Sequence, residues 1–269
     1  MKTLRKLFCA GLAAAVMAMT AVTANAASVS DFKDVDPGQW YYPAVEYAVD
    51  NGLFAGTSAT AFSPNGAMTR GMFVTVLSRQ AKIDQSQYQL YRFGDVKKGD
   101  YYAAPVEWAA RYGIVSGTGK NTFSPNQKVT REQMAAFLYR YAKAIGNAEI
   151  SNGTEILRFP DTGDVSDWAK EAMTWAVDKK IINGSDGKLD PQGTATRAQV
   201  AQVFRSAKDV LAGTTIVVEP QMPDKSNVPT TDSKAHPNNI HSLEGKITRY
   251  SSFEGIGESG TETLKRCHA

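Results

Sequence analysis

The sequence predicts a mainly α-helical body made of three copies of one helix-pair unit, packed with approximate threefold symmetry over residues 30–212. Three observations predict it. A Thr-Arg pair recurs at Thr69-Arg70, Thr130-Arg131 and Thr196-Arg197, each time ahead of an apolar stretch. Arg70, Arg131 and Arg197 each stand 36 positions after an aspartate, namely Asp34, Asp95 and Asp161. The apolar residues between and after these marks recur at helical intervals, and no stretch alternates with a period of two, so any strands are short.

Residues 1–26 precede the repeats and read as a secretory signal peptide. Lys2, Arg5 and Lys6 form its positive start, Leu7 to Val22 its apolar run, and Ala24-Asn25-Ala26 a small-x-small cleavage site that makes Ala27 the expected mature N-terminus. The run falls short of the roughly 20 residues a membrane span needs. Cys9 lies too early, behind the bulky Phe8, to suit a lipidated cysteine. The mature chain is therefore expected to be secreted and to carry no transmembrane span. Without Lys2, Arg5 and Lys6, the 30 basic residues become 27, against 27 acidic ones. A net charge of zero removes any global electrostatic case for nucleic acid. Only Cys267 remains after cleavage, so an internal disulfide is excluded and stability must come from packing.

The units are expected at 27–86, 87–150 and 151–212. They open on Phe32, Phe93 and Phe159, two residues before the aspartates. An aromatic follows (Trp40, Tyr101 or Trp168) and begins a helical pattern, in the second unit Val106, Ala109, Ala110 and Tyr112. Gly52 and Gly113 end this helix, with Asn183-Gly184 later in the third unit. A Ser-Pro-Asn or Asp-Pro loop leads to Thr-Arg and a second helix. Its stripe in the second unit is Met134, Phe137, Leu138 and Tyr141. A helix pair of this size cannot close a core alone, whereas three packed together can. The linkers at 83–91 and 146–157 are short and polar. Residues 213–269, rich in Pro, Ser, Thr, Asn and Asp over 220–240, are expected to form a mostly disordered tail. Thr248-Arg249 has no helix pattern after it and is no fourth motif.

Capping explains the threonine of the motif. Thr130 with Gln133 and Thr196 with Gln199 have capping-box spacing, whereas Met72 replaces the box partner of Thr69. Capping leaves the arginine unexplained. At the first helical position a cation faces the positive end of the helix dipole. A helix N-terminus offers N–H groups to an anion, and a guanidinium adds a two-pronged donor suited to a carboxylate. On this argument Arg70, Arg131 and Arg197 bind an anion, and their removal leaves folding unharmed. The other reading is an internal salt bridge to Asp34, Asp95 or Asp161.

The combination of F-x-D, an aromatic, G-I-V-S-G, F-S-P-N and T-R-E-Q resembles the S-layer homology domain over residues 30–212, in the full complement of three repeats. The resemblance implies a three-pronged helical spindle. It also implies non-covalent anchoring at a bacterial cell surface by binding of secondary cell-wall polysaccharide or a peptidoglycan-linked glycan, often through a pyruvate ketal on an amino sugar. The motif arginine of that family contacts the acidic sugar in grooves between repeats, which here points to Arg70, Arg131 and Arg197. A pyruvate ketal is a carboxylate, in accord with the dipole argument. Gly71-Met72 departs from the family's Ala-Glu, and Tyr101 stands where the other repeats have tryptophan, so the first groove is the least regular.

Trp40, Tyr101 and Trp168 can stack on a sugar ring or anchor the first helix in the core, the core being the commoner use of such residues. Tyr47, Trp108 and Trp175, in mid-helix, read as core. Asp34, Asp95 and Asp161 can accept hydrogen bonds from loop backbone or orient the arginine. Asn183-Gly-Ser-Asp-Gly lacks the ligand spacing of a calcium loop. The chain is expected to be no enzyme and to need no metal or cofactor. A glycan hydrolase needs two carboxylates across a cleft, and the recurring acids supply no matched pair. His236, His241 and His268 all lie in the tail, and Cys267 there is a poor nucleophile. A surface adaptor whose tail recruits another protein is the remaining alternative.

Overall fold

The computed structural model describes residues 28–150 and 152–212, with Ile216 and Pro220 beyond them. The expected signal peptide with Cys9, the three histidines, Cys267 and nearly all of the expected tail lie outside these residues. Each repeat supplies two helices, as expected: α1 (Tyr42–Asp50) and α2 (Arg70–Gln80), α3 (Ala103–Arg111) and α4 (Arg131–Ala144), α5 (Lys170–Asp178) and α6 (Arg197–Ser206). Among the described residues none of these is long and apolar enough to cross a membrane. Among the described residues, β-pairing is confined to isolated bridges, such as Ala67 with Thr196 and Thr130 with Thr194.

The second helices begin where their threonines predict. Thr69, Thr130 and Thr196 sit in extended conformation and accept the N–H of Met72, Gln133 and Gln199. Gln133 and Gln199 close full capping boxes by accepting the cap residue's own N–H. The first helices stop at left-handed residues. Gly52 (φ 66°) and Gly113 (φ 67°) fill this place in repeats one and two, whereas in repeat three Lys180 does so at φ 56°, before the expected Asn183-Gly184. Gly184 serves packing instead. A Cβ there would lie 2.5 Å from the Phe159 ring, just as one on Gly56 would lie 2.5 Å from Phe32.

The helices pair between repeats. α2 packs against α3, α4 against α5, and α6 returns to α1, so the last repeat closes on the first. At the centre, three backbone hydrogen bonds form a ring. The N–H of Met68 donates to Ala195 O (2.9 Å), that of Ala195 to Val129 O (3.0 Å) and that of Val129 to Met68 O (2.9 Å). All three residues are fully buried. Each N–H belongs to one repeat and each acceptor to another, so no repeat satisfies its own backbone here. Beyond the ring, Phe73 touches Phe137 and Phe204 at centroid distances of 5.7 and 5.8 Å. One core thus contains side chains from every repeat, including Trp108 and Trp175. Tyr47 is only half-buried at its edge, short of the full burial expected.

Candidate functional site

The Thr-Arg motifs lie at the joints between repeats. The N–H of Arg70 donates to Gln127 O and that of Gly71 to Pro125 O, both at 2.9 Å. Arg131 and Glu132 bond likewise to Gly193 and Pro191, and Arg197 and Ala198 to Gly66 and Pro64. With the next N–H taken by the cap threonine, the first three amides of each second helix are satisfied. They form a joint to the neighbouring loop and are not an open anion cradle.

The guanidinium groups continue the joint. Arg70 Nε donates to Phe123 O (2.9 Å) and Nη2 to Ser116 O (3.0 Å). Arg197 Nε donates to Phe62 O (2.7 Å) and Nη2 to Ala55 O (2.8 Å). Arg131 Nε donates to Leu189 O (2.7 Å), the only bond of its side chain among the described residues. Arg70 also lies over Phe123 and Phe137, and Arg197 over Phe54 and Phe62. These residues are only 3–9% exposed. Burial pushes the Arg70 guanidinium down to about 10, with Asp95 opposing the shift and Arg140 adding to it. Burial also lowers Arg131, against the pull of Asp190 and Asp161. It lowers Arg197 against Asp34, with Arg79 adding to the shift.

The expectation that the arginines are dispensable for folding is therefore corrected. Their dipole cost is offset by bonds to the buried carbonyls of Phe123, Leu189 and Phe62, which the arginine Nε groups satisfy. The salt-bridge alternative is not observed either, since among the described residues none of the three forms an ion pair. The aspartates act one step away. Asp34 accepts the N–H groups of Phe62 and Ser63, Asp95 those of Phe123 and Ser124, and Asp161 those of Leu189 and Asp190, at 2.7–2.9 Å. Ser63, Ser124 and Asp190 are left-handed at φ 59°, 58° and 49°, a costly conformation that each clamp stabilises. The residue whose amide the aspartate holds is the one whose carbonyl meets the arginine of the preceding repeat. Burial raises Asp161, but the two amides and Lys188 outweigh it, and its carboxyl titrates below the ordinary range.

Trp40, Tyr101 and Trp168 are 59%, 57% and 52% exposed, so the core reading favoured from sequence is overturned for all three. The residue after each one is what packs inward: Tyr41 and Ala169 are buried, and Tyr102 half-buried. Trp40 and Tyr101 stand edge-on to these followers at 5.4 and 4.9 Å. The Tyr101 hydroxyl lies against the Thr69 side chain, which places the aromatic of repeat two beside the motif of repeat one. By the repeat symmetry the counterpart pairings are Trp168 with Arg131, where the turn at Asp167–Ala169 meets α4, and Trp40 with Arg197, where α1 meets α6. Among the described residues, Trp175 Nε1 is the one fully buried side-chain nitrogen without a partner. The guanidinium nitrogens without a bond are therefore not fully enclosed. Sequence reasoning missed the loop carbonyls, which carry no side-chain signal. It also missed Ser166 and Gln192, which donate to the buried Glu132 carboxylate.

Comparison with known proteins agrees with this architecture. The sequence model of the S-layer homology domain matches residues 31–71, 92–135 and 158–201. An endoglucanase of Bacillus sp. (strain KSM-635) is 33% identical over 64% of this chain and 18% of its own length. An amylopullulanase of Thermoanaerobacterium thermosulfurigenes is 33% identical over 65% of this chain and 9% of its own. The S-layer protein sap of Bacillus anthracis is 29% identical over 76% of this chain and 24% of its own. The chain thus spans less than a quarter of these relatives. Three matched segments, each with its capped Thr-Arg helix and aspartate clamp at the expected place, make this chain a member of the S-layer homology domain family, with three repeats.

Proposed function

We propose that the three repeats form a non-catalytic module that anchors at the cell surface by binding an acidic, pyruvylated secondary cell-wall polysaccharide in the grooves between repeats. One observation carries the reading: three exposed aromatics recur at equivalent places of the three repeats, and Tyr101 lies against the Thr69 cap of the preceding repeat's motif. An exposed indole or phenol face suits the apolar side of a pyranose, and the open guanidinium nitrogens suit its carboxylate. In each groove Trp40, Tyr101 or Trp168 stacks on the sugar, Arg197, Arg70 or Arg131 faces its polar edge, where the ketal stands, and Asp34, Asp95 or Asp161 holds the loop that sets the arginine.

The relatives support the anchoring role. The shared stretch is a minor part of proteins named as two different enzymes and of one named as an S-layer protein, so its role is one that all of them can use. S-layer relatives and the family itself support a bacterial cell-surface location. The recurring carboxylates are occupied by backbone amides, which disfavours a general acid–base pair.

The test is a pull-down of the full chain with purified bacterial walls, before and after chemical removal of pyruvate. The reading expects binding that is lost with the pyruvate and released by denaturant. Equal binding to both preparations refutes the acidic-sugar contact, and failure to bind either refutes the anchor.

A further inference from the structure

The grooves differ in charge, and the difference traces to one position. Nine residues after the motif arginine, α2 carries Arg79, α4 carries Arg140 and α6 carries Ser206. Arg79 acts on Arg197 and Arg140 on Arg70, each the motif arginine of the preceding repeat. Arg79 Nη1 donates to Leu53 O at 2.9 Å, while Arg197 Nη2 donates to Ala55 O at 2.8 Å. Two guanidinium groups thus bracket Phe54. Arg70 lies over Phe137 at 5.2 Å, and Arg140 follows Phe137 by one helical turn on the same face. Repulsion between these cations is registered in the motif arginines, since Arg79 adds to the lowering of Arg197 and Arg140 to that of Arg70.

The groove between repeats two and three is built differently. Ser206 offers a hydroxyl that accepts from Gln202. The charges acting on Arg131 are Asp190 and Asp161, and the buried Glu132 carboxylate of the same joint is held by Ser166 and Gln192. Lys188 also acts on Asp161. Arg79 is exposed and Arg140 partly so, and among the described residues neither forms an ion pair. Each of these grooves thus sets two cations against one motif aspartate, Asp34 or Asp95, and a paired cation gains more from a bound anion than a single one does.

We propose that Arg79 and Arg140 are the anion-selecting residues of two grooves, between repeats three and one and between repeats one and two, and that the groove between repeats two and three discriminates little between acidic and neutral sugars. The proposal rests on the reading that the grooves bind an acidic glycan, and it adds which of them read the charge. It also reverses the order suggested by sequence, in which the first groove was the least regular. Gly71, the main irregularity, has a packing reason: a Cβ there would lie 3.0 Å from the Tyr102 ring.

The probes are the pyruvate ketal of a methyl N-acetylhexosaminide and the same glycoside without the ketal, titrated calorimetrically into the full chain. The expected result is two sites that prefer the ketal. Arg79→Gln and Arg140→Gln each remove that preference at one site, weakening ketal binding there roughly tenfold or more, with neutral binding unchanged. Ser206→Arg creates a third ketal-preferring site. Arg79→Lys restores part of the loss, since an ammonium keeps the charge but not the fork. Thermal melts separate a merely structural role, which lowers the melting temperature and weakens both glycosides alike. Three equivalent ketal sites in the wild type, or unchanged ketal affinity in both glutamine variants, overturn the proposal. A wild-type chain that holds purified wall but ignores the ketal glycoside overturns the acidic-sugar reading and this proposal with it.

Discussion

The joint between repeats one and two and the joint between repeats two and three share a backbone and differ in side chains. In the first, Gly71 lets Tyr102 approach closely, and Arg70 bonds two carbonyls and lies over two rings. In the second, the place of Gly71 is taken by Glu132, which accepts from Ser166 N, Ser166 Oγ and Gln192 Nε2 at 2.9–3.0 Å, and Arg131 makes one carbonyl bond. One joint is thus closed by an aromatic ring against a glycine, the other by a buried carboxylate network. The threefold symmetry is a property of the backbone, and each joint is a separately matched set whose residues are not exchangeable one at a time.

The largest expected effect comes from the arginines. Arg70→Ala orphans the buried Phe123 carbonyl, loses the bond to Ser116 O and leaves a gap against two rings, a loss of about 3–5 kcal/mol. Arg131→Ala removes one such bond and should cost about half as much. Denaturant unfolding of both variants measures the difference, and equal losses would erase the distinction between the joints. Next is Gly71→Glu, which copies the second joint's residue into the first. It meets Tyr102 and Pro125 O and should destabilise by about 1–3 kcal/mol, and Tyr102→Ala in the same chain should recover part of the loss. Without recovery, steric matching is not what distinguishes the joints.

Acid tests the third repeat's clamp. The Asp161 carboxyl is lowered in the folded state, so its contribution is fully present above the ordinary carboxylate value of about 3.9 and is lost as pH falls through the lower folded value. Stability should therefore decline below about pH 4, and Asp161→Asn should flatten that decline in pH-dependent melts. The smallest effect on folding belongs to the exposed aromatics. Trp40→Ala and Trp168→Ala should stay within about 0.5 kcal/mol of wild type in stability while wall binding weakens. A large loss of stability would return them to the scaffold.

Much of the fold was legible in the sequence because its signals are local. A cap joins residues three apart, and Thr69, Thr130 and Thr196 start their helices where their own side chains reach the third amide. Gly52 and Gly113 end helices through their own backbone freedom. The apolar spacing of α4 placed Met134, Leu138 and Tyr141 in the core. The recurrence of these marks at one spacing fixed the number of repeats. Even here context intruded, since Lys180 takes the left-handed place that a glycine was expected to fill.

The candidate site was legible as a set of residues but not as a set of roles. Arg197 reaches Ala55, 142 positions away, and Arg70 reaches Ser116, 46 positions away, by turning toward a neighbouring repeat. The helix dipole, read alone, made these cations look misplaced. Only the carbonyls brought by the next repeat supply the compensation. The exposure of Trp40, Tyr101 and Trp168 was likewise undecided, because each is followed by a residue equally able to pack inward, and which of the two does so depends on the helix of the adjacent repeat. The sequence by itself determined where helices start and stop, how many units there are and which faces are apolar, since those follow from interactions within a turn or a repeat period. The tertiary structure alone decided where the arginines bond, which aromatics face solvent and how each joint is closed, because those partners come from different repeats and meet only when the third repeat packs back onto the first.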